Sequence, residues 1–290
     1  MQKKTFKYFL QGRLGNQIWG LSDAYRLHKI VNEKIHVFVL QESAIKTSPL
    51  FIDFIKAQEW LVMNCLQKGE IEELRSAIGA DDGMRKHVKN GFRNFRGFSP
   101  SYRLLLESGL FKEGLFPFSS PSLKSTEPFV SIGVRREDYW YNPHLGILPK
   151  NYYRLALRKL ESDLMDLDLR IFGALDLSQA RKAIPRKLRN KAIYHPRTSD
   201  PVNDLEIMSM ATYSIIANST FSYLGAFFST SKRIFMPEPF YLKIAGWEEN
   251  LNSPRTENVK ILMNKNRRYL FLRTAKKMYI LRSKIGKKFH

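Results

Sequence analysis

Apolar and polar positions in the first half of the chain predict an α/β domain. We expect strands at 4–10 and 35–39, where short runs rich in Phe, Val and Ile occur. We expect helices at 19–31 and 67–78, where apolar residues recur at steps of three and four. The stretch 79–125 is rich in Arg, Gly, Phe and Ser and has no clean period, which predicts irregular loops.

The second half alternates apolar runs with helical patterns more regularly. Strands are expected at 129–134, 167–172, 192–194 and 213–217, and helices at 151–160 and 204–211. Such alternation predicts a parallel sheet covered by helices. The chain is therefore expected to contain two domains, residues 1–125 and 126–255, followed by a tail at 256–290.

Residues 215–228, IIANSTFSYLGAFF, contain the junction with the most chemical information, because an apolar strand runs through polar residues into a helix. Free backbone N–H groups and the positive end of the helix dipole at such a junction favour a phosphate. The side-chain donors there are Asn218, Ser219, Thr220 and Ser222. The alternative is that Asn218 or Ser219 only caps the helix.

Two other strand ends carry similar chemistry. In QGRLGNQ, residues 11–17, a turn with Gly12 and Gly15 precedes a helix, but the three glycines of a dinucleotide fingerprint are absent. The buried-type strand of residues 129–134 ends at Arg135 and Arg136. Strand carboxyl ends face the ligand crevice in open α/β sheets, so this arginine pair is placed to bind a diphosphate. The alternative is a solvated pair of surface arginines.

Three motifs together resemble glycosyltransferase family 11, the α-1,2-fucosyltransferases that use GDP-fucose. They are GRLGNQ at 12–17, VRREDY at 134–139 and the block at 204–228, in the order and spacing of that family. The resemblance covers most of the chain. It implies a GT-B-like α/β fold, in which two Rossmann-like domains face a cleft. Residues 1–125 would then form the acceptor side, with irregular loops at 79–125 that face the acceptor, and residues 126–255 would bind the GDP-sugar donor. It also implies inverting transfer of fucose from GDP-fucose to a hydroxyl, such as the 2-OH of a galactoside, in a surface-glycan precursor.

The residues at these junctions, and the carboxylates nearest to the arginines in the sequence, are the candidates for individual roles. Arg135, Glu137 and Asp138 are the catalytic candidates. Glu137 is expected to be the base, and Asp138 to orient an arginine, because neighbouring guanidiniums lower a carboxyl pKa. The expected donor-binding residues are Gly15, Asn16, Gln17, Arg135, Arg136, Asp204, Glu206, Asn218, Ser219, Thr220 and Ser222. Asp204 is equally placed to cap a helix.

This chain departs from the family pattern at three places. Gly133 stands where the family usually has His, and Glu137 stands where it has Gly. The family's FSDD-type segment is poorly matched by RIFGALDLS at 170–178. Two other functions therefore stay open. One is a related glycosyltransferase that uses another nucleotide sugar, and the other is a non-enzymatic basic protein that binds membranes or polyanions.

Composition favours a cytoplasmic protein. Apolar residues make up 43% of the chain, enough for two cores, and none of the apolar runs approaches the roughly 20 residues that span a bilayer. The short apolar run at the amino terminus predicts a first strand, not a signal peptide. The single cysteine, Cys65, cannot form an internal disulfide, which favours a reducing compartment.

The formal net charge of +21 predicts an anionic partner. Ten Lys or Arg and no acidic residue lie in 265–288, where an apolar stripe recurs at helical spacing at Phe271, Ala275, Met278, Leu281 and Ile285. This predicts an amphipathic helix that places the enzyme peripherally on the inner face of the cytoplasmic membrane, near lipid-linked acceptors. The alternative is a basic helix that packs on the amino-terminal domain. A nucleic-acid partner is not expected, because the sequence contains none of the recognised modules.

No metal or other cofactor is expected. Asp166 and Asp168 form an Asp-x-Asp pair, but the pair precedes its strand and would lie at the edge of the sheet away from the ligand. The six histidines are scattered without zinc spacing. Arg135, Arg136 and the helix start at Ser219 would then neutralise the leaving diphosphate.

Overall fold

A computed structural model of the chain contains two parallel β-sheets covered by helices. It describes residues 5–39, 48–65, 74, 76–79, 83–97, 100–118, 127–135, 147–160, 167–174, 176–196, 200–238, 240 and 251–260. Among these residues, none of the helices is long and apolar enough to span a bilayer. The tail that follows Lys260 lies outside the described residues, so the predicted membrane helix there stays a prediction.

The first sheet has five parallel strands in the order β3-β2-β1-β5-β4. The strands are β1 Phe6–Leu10, β2 Ile35–Val39, β3 Leu61–Cys65, β4 Ile78–Gly79 and β5 Asn94–Arg96. The helices of this unit are α1 Leu14–Val31, α2 Pro49–Lys56, α3 Met84–Lys89 and α4 Tyr102–Ser108.

The second sheet has six parallel strands in the order β11-β10-β9-β6-β7-β8. They are β6 Phe129–Gly133, β7 Asp168–Phe172, β8 Ala192–Tyr194, β9 Tyr213–Ile215, β10 Arg233–Glu238 and β11 Thr256–Lys260. The helices are α5 Lys150–Arg158, α6 Leu177–Ala183, α7 Pro201–Ser209 and α8 Thr220–Phe228, and a 3₁₀-helix covers Arg186–Lys191. The predicted α/β class with two Rossmann-like parallel sheets is confirmed.

Burial explains why these segments form parallel strands. Every residue of β6 is buried, as expected for a central strand that is covered on both faces. The largest cluster of buried apolar residues continues from β1 and β2 through α1 to α7 and α8, and it includes Trp19 and Tyr223, whose rings lie 5.7 Å apart. The two sheets are therefore joined by a shared apolar core.

Several elements differ from the sequence prediction. The stretch expected to be irregular, 79–125, contains α3, β5 and α4, and β5 pairs with β1. Ile78, expected to end a helix, lies in β4. The rest of that expected helix falls almost entirely outside the described residues. The elements α2, β3, α6, β10 and β11 were not predicted, and β11 extends the second sheet past residue 255.

A candidate anion site where two helix N-termini meet

The chain order of the second sheet defines a crevice between β6 and β9. From β6 the chain moves outward through β7 and β8, and it then returns to the opposite side of β6 as β9. Ligands of open α/β sheets bind at the carboxyl ends of the strands that flank such a reversal. Arg135 follows β6, and Asn218 and Ser219 follow β9, so the fold brings these predicted residues to one crevice.

The first sheet has the same kind of reversal between β1 and β5. The chain leaves β1, turns at Gly12, whose φ of 75° suits glycine, and enters α1 at Leu14. The predicted glycine-rich junction therefore lies at the ligand end of its own sheet.

The two junctions are in direct contact. A Cβ atom on Gly15 would lie 2.7 Å from the backbone nitrogen of Phe221 and 2.9 Å from Thr220 Oγ1, so only glycine allows this approach. The Thr220 hydroxyl donates a hydrogen bond of 2.7 Å to Asn16 Oδ1. The N-terminus of α1 therefore meets the N-terminus of α8. Each carries about half a positive charge from its helix dipole.

Neither helix start is capped by the side chain at its N-cap position. Ser219 is the N-cap of α8 and Arg13 is the N-cap of α1, and neither makes a side-chain capping hydrogen bond. By contrast, the Asp200 carboxylate caps α7 by accepting a hydrogen bond of 2.9 Å from Val202 N. Neither α1 nor α8 has an acidic residue in its first turn. The first N–H groups of both helices have no partner within their helix, which is the arrangement that binds anions.

Gly133 allows the second junction to pack onto β6. A Cβ atom at this position would lie 2.1 Å from Ser222 Oγ and 2.9 Å from Ala217 N. Ser222 Oγ accepts a hydrogen bond of 3.0 Å from Ala217 N and thereby supports the turn between β9 and α8. Ser222 was predicted to contact the donor, but the contact observed is internal to the turn. The structure also leaves no space for an imidazole at position 133.

Two buried tyrosines that the sequence did not single out hold the ends of the central strands. The Tyr152 hydroxyl lies 2.7 Å from Ile216 O and 2.8 Å from Phe235 O, and Tyr153 donates to Gly133 O at 3.2 Å. Burial raises the pKa of Tyr152, so it stays a neutral donor. The sequence signal that could have identified these residues is a tyrosine, instead of Phe, at a buried position of a helix. A buried hydroxyl group needs a hydrogen-bond partner.

Asp204 and Glu206 lie on α7, which packs against α8. Both are buried, with 9% and 6% of their surface exposed. The helix begins at Pro201 and is capped by Asp200, so the alternative that Asp204 caps it is wrong.

Gln17, the third donor candidate of the first junction, is 1% exposed. Neither of its side-chain polar atoms has a hydrogen-bond partner among the described residues. An unsatisfied buried polar group costs about 1–3 kcal/mol, so this amide is a candidate to contact a ligand.

Of the remaining candidate residues, the structure describes only Asp168. Arg136, Glu137, Asp138 and Asp166 lie outside the described residues. Asp168 is the first residue of β7, so it lies at the edge opposite the carboxyl end of β6. Within the described ranges, groups of three or more His, Cys, Asp or Glu that could hold a metal ion are absent.

His195 is a further polar residue at the carboxyl edge of the second sheet. It follows β8, and its ring stacks on Phe172 with 4.7 Å between ring centroids. Desolvation and then the charge of Arg170 lower its pKa. The imidazole is therefore neutral near pH 7.

Known proteins resemble the chain in part. It is 32% identical over 104 residues to the O-antigen biosynthesis glycosyltransferase WbnK of Escherichia coli. That match covers 34% of each protein, so the chain spans about a third of the length of the curated relative it matches. None of the known family models matches the chain.

Two solved structures are similar over most of the chain. The E. coli ADP-heptose LPS heptosyltransferase II is 11% identical, with 95% of this chain and 99% of that chain covered and a TM-score of 0.49. The fucosyltransferase NodZ from Bradyrhizobium is 8% identical, with 80% and 96% covered and a TM-score of 0.45.

Proposed function

We propose that the protein is an inverting glycosyltransferase that moves fucose from GDP-fucose to a hydroxyl of a surface-glycan precursor. The observation that carries the proposal is the contact between the two helix N-termini at Gly15 and Thr220, at the ligand ends of both parallel sheets. The resemblance of three sequence motifs to family 11 suggests the donor. The O-antigen role of the partial relative supports the class of acceptor.

The leaving group explains why this site suits the reaction. In the transfer, the acceptor oxygen bonds to the anomeric carbon of the sugar while the bond from that carbon to the diphosphate oxygen breaks. GDP then leaves with additional negative charge. Arg135, at the end of β6, and the N–H groups of α1 and α8 are preorganised positive groups that would stabilise this charge.

The acceptor hydroxyl must also lose its proton. Glu137 is our proposed base, and Asp138 is proposed to orient an arginine; both lie outside the described residues. Glu137→Gln removes the basic oxygen and retains the shape of the side chain. We expect the rate of the chemical step to fall far more than GDP affinity, as measured by single-turnover kinetics and calorimetry. Equal losses in both would assign Glu137 to donor binding or to structure.

A donor panel tests the proposed function. The purified chain should hydrolyse or transfer sugar from GDP-fucose faster than from GDP-mannose or UDP-sugars. A preference for another donor would keep the enzyme class and reject fucose. The non-enzymatic alternative would be favoured if the chain bound anionic vesicles but neither bound GDP nor hydrolysed any of these donors.

We also propose that the reaction needs no metal ion, because Arg135 and the two helix N-termini would supply the positive charge. Addition of EDTA should leave the transfer rate unchanged. If EDTA abolished the rate and Mn²⁺ restored it, the reaction would require a metal site, and Asp166 and Asp168 would be its candidate ligands.

A further inference from the structure

A strongly basic face lies at the outer edge of the second sheet, apart from the candidate anion site. We define the α6 face as the exposed surface of α6, the 3₁₀-helix and the edge strand β8. Between Leu177 and Pro196 the sequence has six basic residues and no acidic residue. The basic residues are Arg181, Lys182, Arg186, Lys187, Arg189 and Lys191. All of them are exposed except Arg189, which is half-buried.

The α6 face also has a surface hollow with cationic walls. The hollow has a volume of about 460 Å³ and is lined by Leu177, Ser178, Arg181, Lys182 and Arg189. Three of these five residues are cations, so an anionic group in the hollow would approach several positive charges at once. A single phosphate group matches this charge and can accept hydrogen bonds from guanidinium groups.

Two aliphatic side chains on the α6 face are exposed to solvent. Leu177, at the start of α6, and Ile193, on the edge strand β8, each have 44% of their surface exposed. Exposed aliphatic groups beside cations can enter the headgroup layer of a bilayer. They cannot stack on bases as aromatic side chains do, so this combination favours lipid over nucleic acid.

We propose that the α6 face binds the phosphate headgroups of an anionic membrane. The exposed lysines and arginines attract the charged surface, the hollow accepts a headgroup phosphate, and Leu177 and Ile193 contact the apolar boundary. This surface belongs to the folded second unit, and all of its residues precede the carboxyl-terminal tail in the sequence. It requires no particular donor or reaction, so it can fail while the proposed function holds.

The test compares two triple variants of the full chain in sedimentation with vesicles. The first carries Arg181→Gln, Lys182→Gln and Arg186→Gln. The matched control carries Arg85→Gln, Lys86→Gln and Lys89→Gln on α3, where all three side chains are also exposed. Both variants lose three positive charges and keep the tail, so any difference between them reports the position of the charges.

The first variant should bind phosphatidylglycerol–phosphatidylcholine vesicles about tenfold or more weakly than the unmodified chain. The α3 control should lose much less affinity for these vesicles. None of the proteins should bind pure phosphatidylcholine vesicles tightly. The pair Leu177→Ser and Ile193→Ser should weaken binding without changing its dependence on salt, because these residues carry no charge.

Equal losses in the two triple variants, or no loss in the first, would overturn the proposal. It would also be overturned if the first variant lost affinity for a polyuridylate probe but kept its affinity for vesicles. Circular dichroism of each variant establishes that the fold is retained.

Discussion

Single small residues determine how closely the backbone segments of the candidate site approach each other. Gly133 and Gly15 both lie where a Cβ atom would meet a neighbour at less than 3.0 Å. The neighbours of Gly15 include backbone atoms, which cannot rotate away as the end of a long side chain can. The glycine at position 133 therefore has a local structural reason, because Ser222 Oγ occupies the space beside it.

Arg135→Lys tests the residue assigned to the donor diphosphate. A lysine keeps the charge but cannot form the two parallel hydrogen bonds of a guanidinium. We expect GDP affinity and transfer rate to fall by about ten- to a hundredfold, the equivalent of one or two hydrogen bonds to a charged group. Arg135→Ala should nearly abolish transfer. Near-normal turnover in Arg135→Lys would rule out this role.

Gly133→Ala tests the packing of the second junction onto β6. The new methyl group would overlap Ser222 Oγ, so we expect a loss of about 1–3 kcal/mol in the free energy of unfolding, measured with urea. Adding Ser222→Ala should restore part of the loss, because it removes the nearest atom. Unchanged stability in Gly133→Ala would show that the junction can move away without cost.

At the scale of elements, the site depends on the start of two helices and the ends of two strands. α1 and α8 point their N-termini at each other, and the Tyr152 and Tyr153 hydroxyls of α5 hold the carboxyl ends of β9 and β6. Like dipole ends repel each other, so this arrangement is costly until an anion lies between or beside them. The packing of both helices in one apolar core keeps them together.

Gly15→Ala should separate the two helix N-termini. Its Cβ atom would lie 2.7 Å from Phe221 N, so α1 and α8 must move apart. We expect the free energy of GDP binding, measured by calorimetry, to weaken by more than the free energy of unfolding, measured with urea. Gly79→Ala is the control, because a Cβ atom there meets nothing within 4 Å. Unaltered GDP affinity in Gly15→Ala would place the donor elsewhere.

At the scale of the whole molecule, an ion pair joins the two units away from the site. Arg255, just before β11, donates to Glu113 Oε1 at 2.8 Å from Nε and at 2.6 Å from Nη2. It also donates to the carbonyl oxygens of Ser229 and Ser231 beyond α8. Tyr102 of α4 donates to the other oxygen of Glu113. The segment after α4 is therefore fixed to the carboxyl end of α8, whose other end forms the site.

The charge of the tail leads to a prediction at this scale. Deleting residues 265–290 removes ten positive charges, each worth about 1 kcal/mol near an anionic surface. We expect weaker binding to anionic vesicles and lower activity on a lipid-linked acceptor, with hydrolysis of soluble donor largely retained. The α6 face should leave residual binding. If the truncated chain unfolds or loses GDP binding, the tail belongs to the fold.

The sequence by itself determined the class of the fold and the strand–helix junctions of the candidate site. A fully buried strand such as β6 is visible as a continuous apolar run, and a junction such as Asn218–Ser219–Thr220 is visible as polar residues between two apolar runs. These features depend on neighbours in the chain, so they can be read without knowing the tertiary contacts.

Only the tertiary structure decided how these parts fit together. β5 has one buried residue, Phe95, and it becomes a strand because β1 offers its backbone hydrogen bonds. The contact between Asn16 and Thr220 joins residues 204 positions apart, and the support of β9 by Tyr152 joins residues 64 positions apart. Such approaches depend on how helices pack across sheets, which local periodicity does not specify.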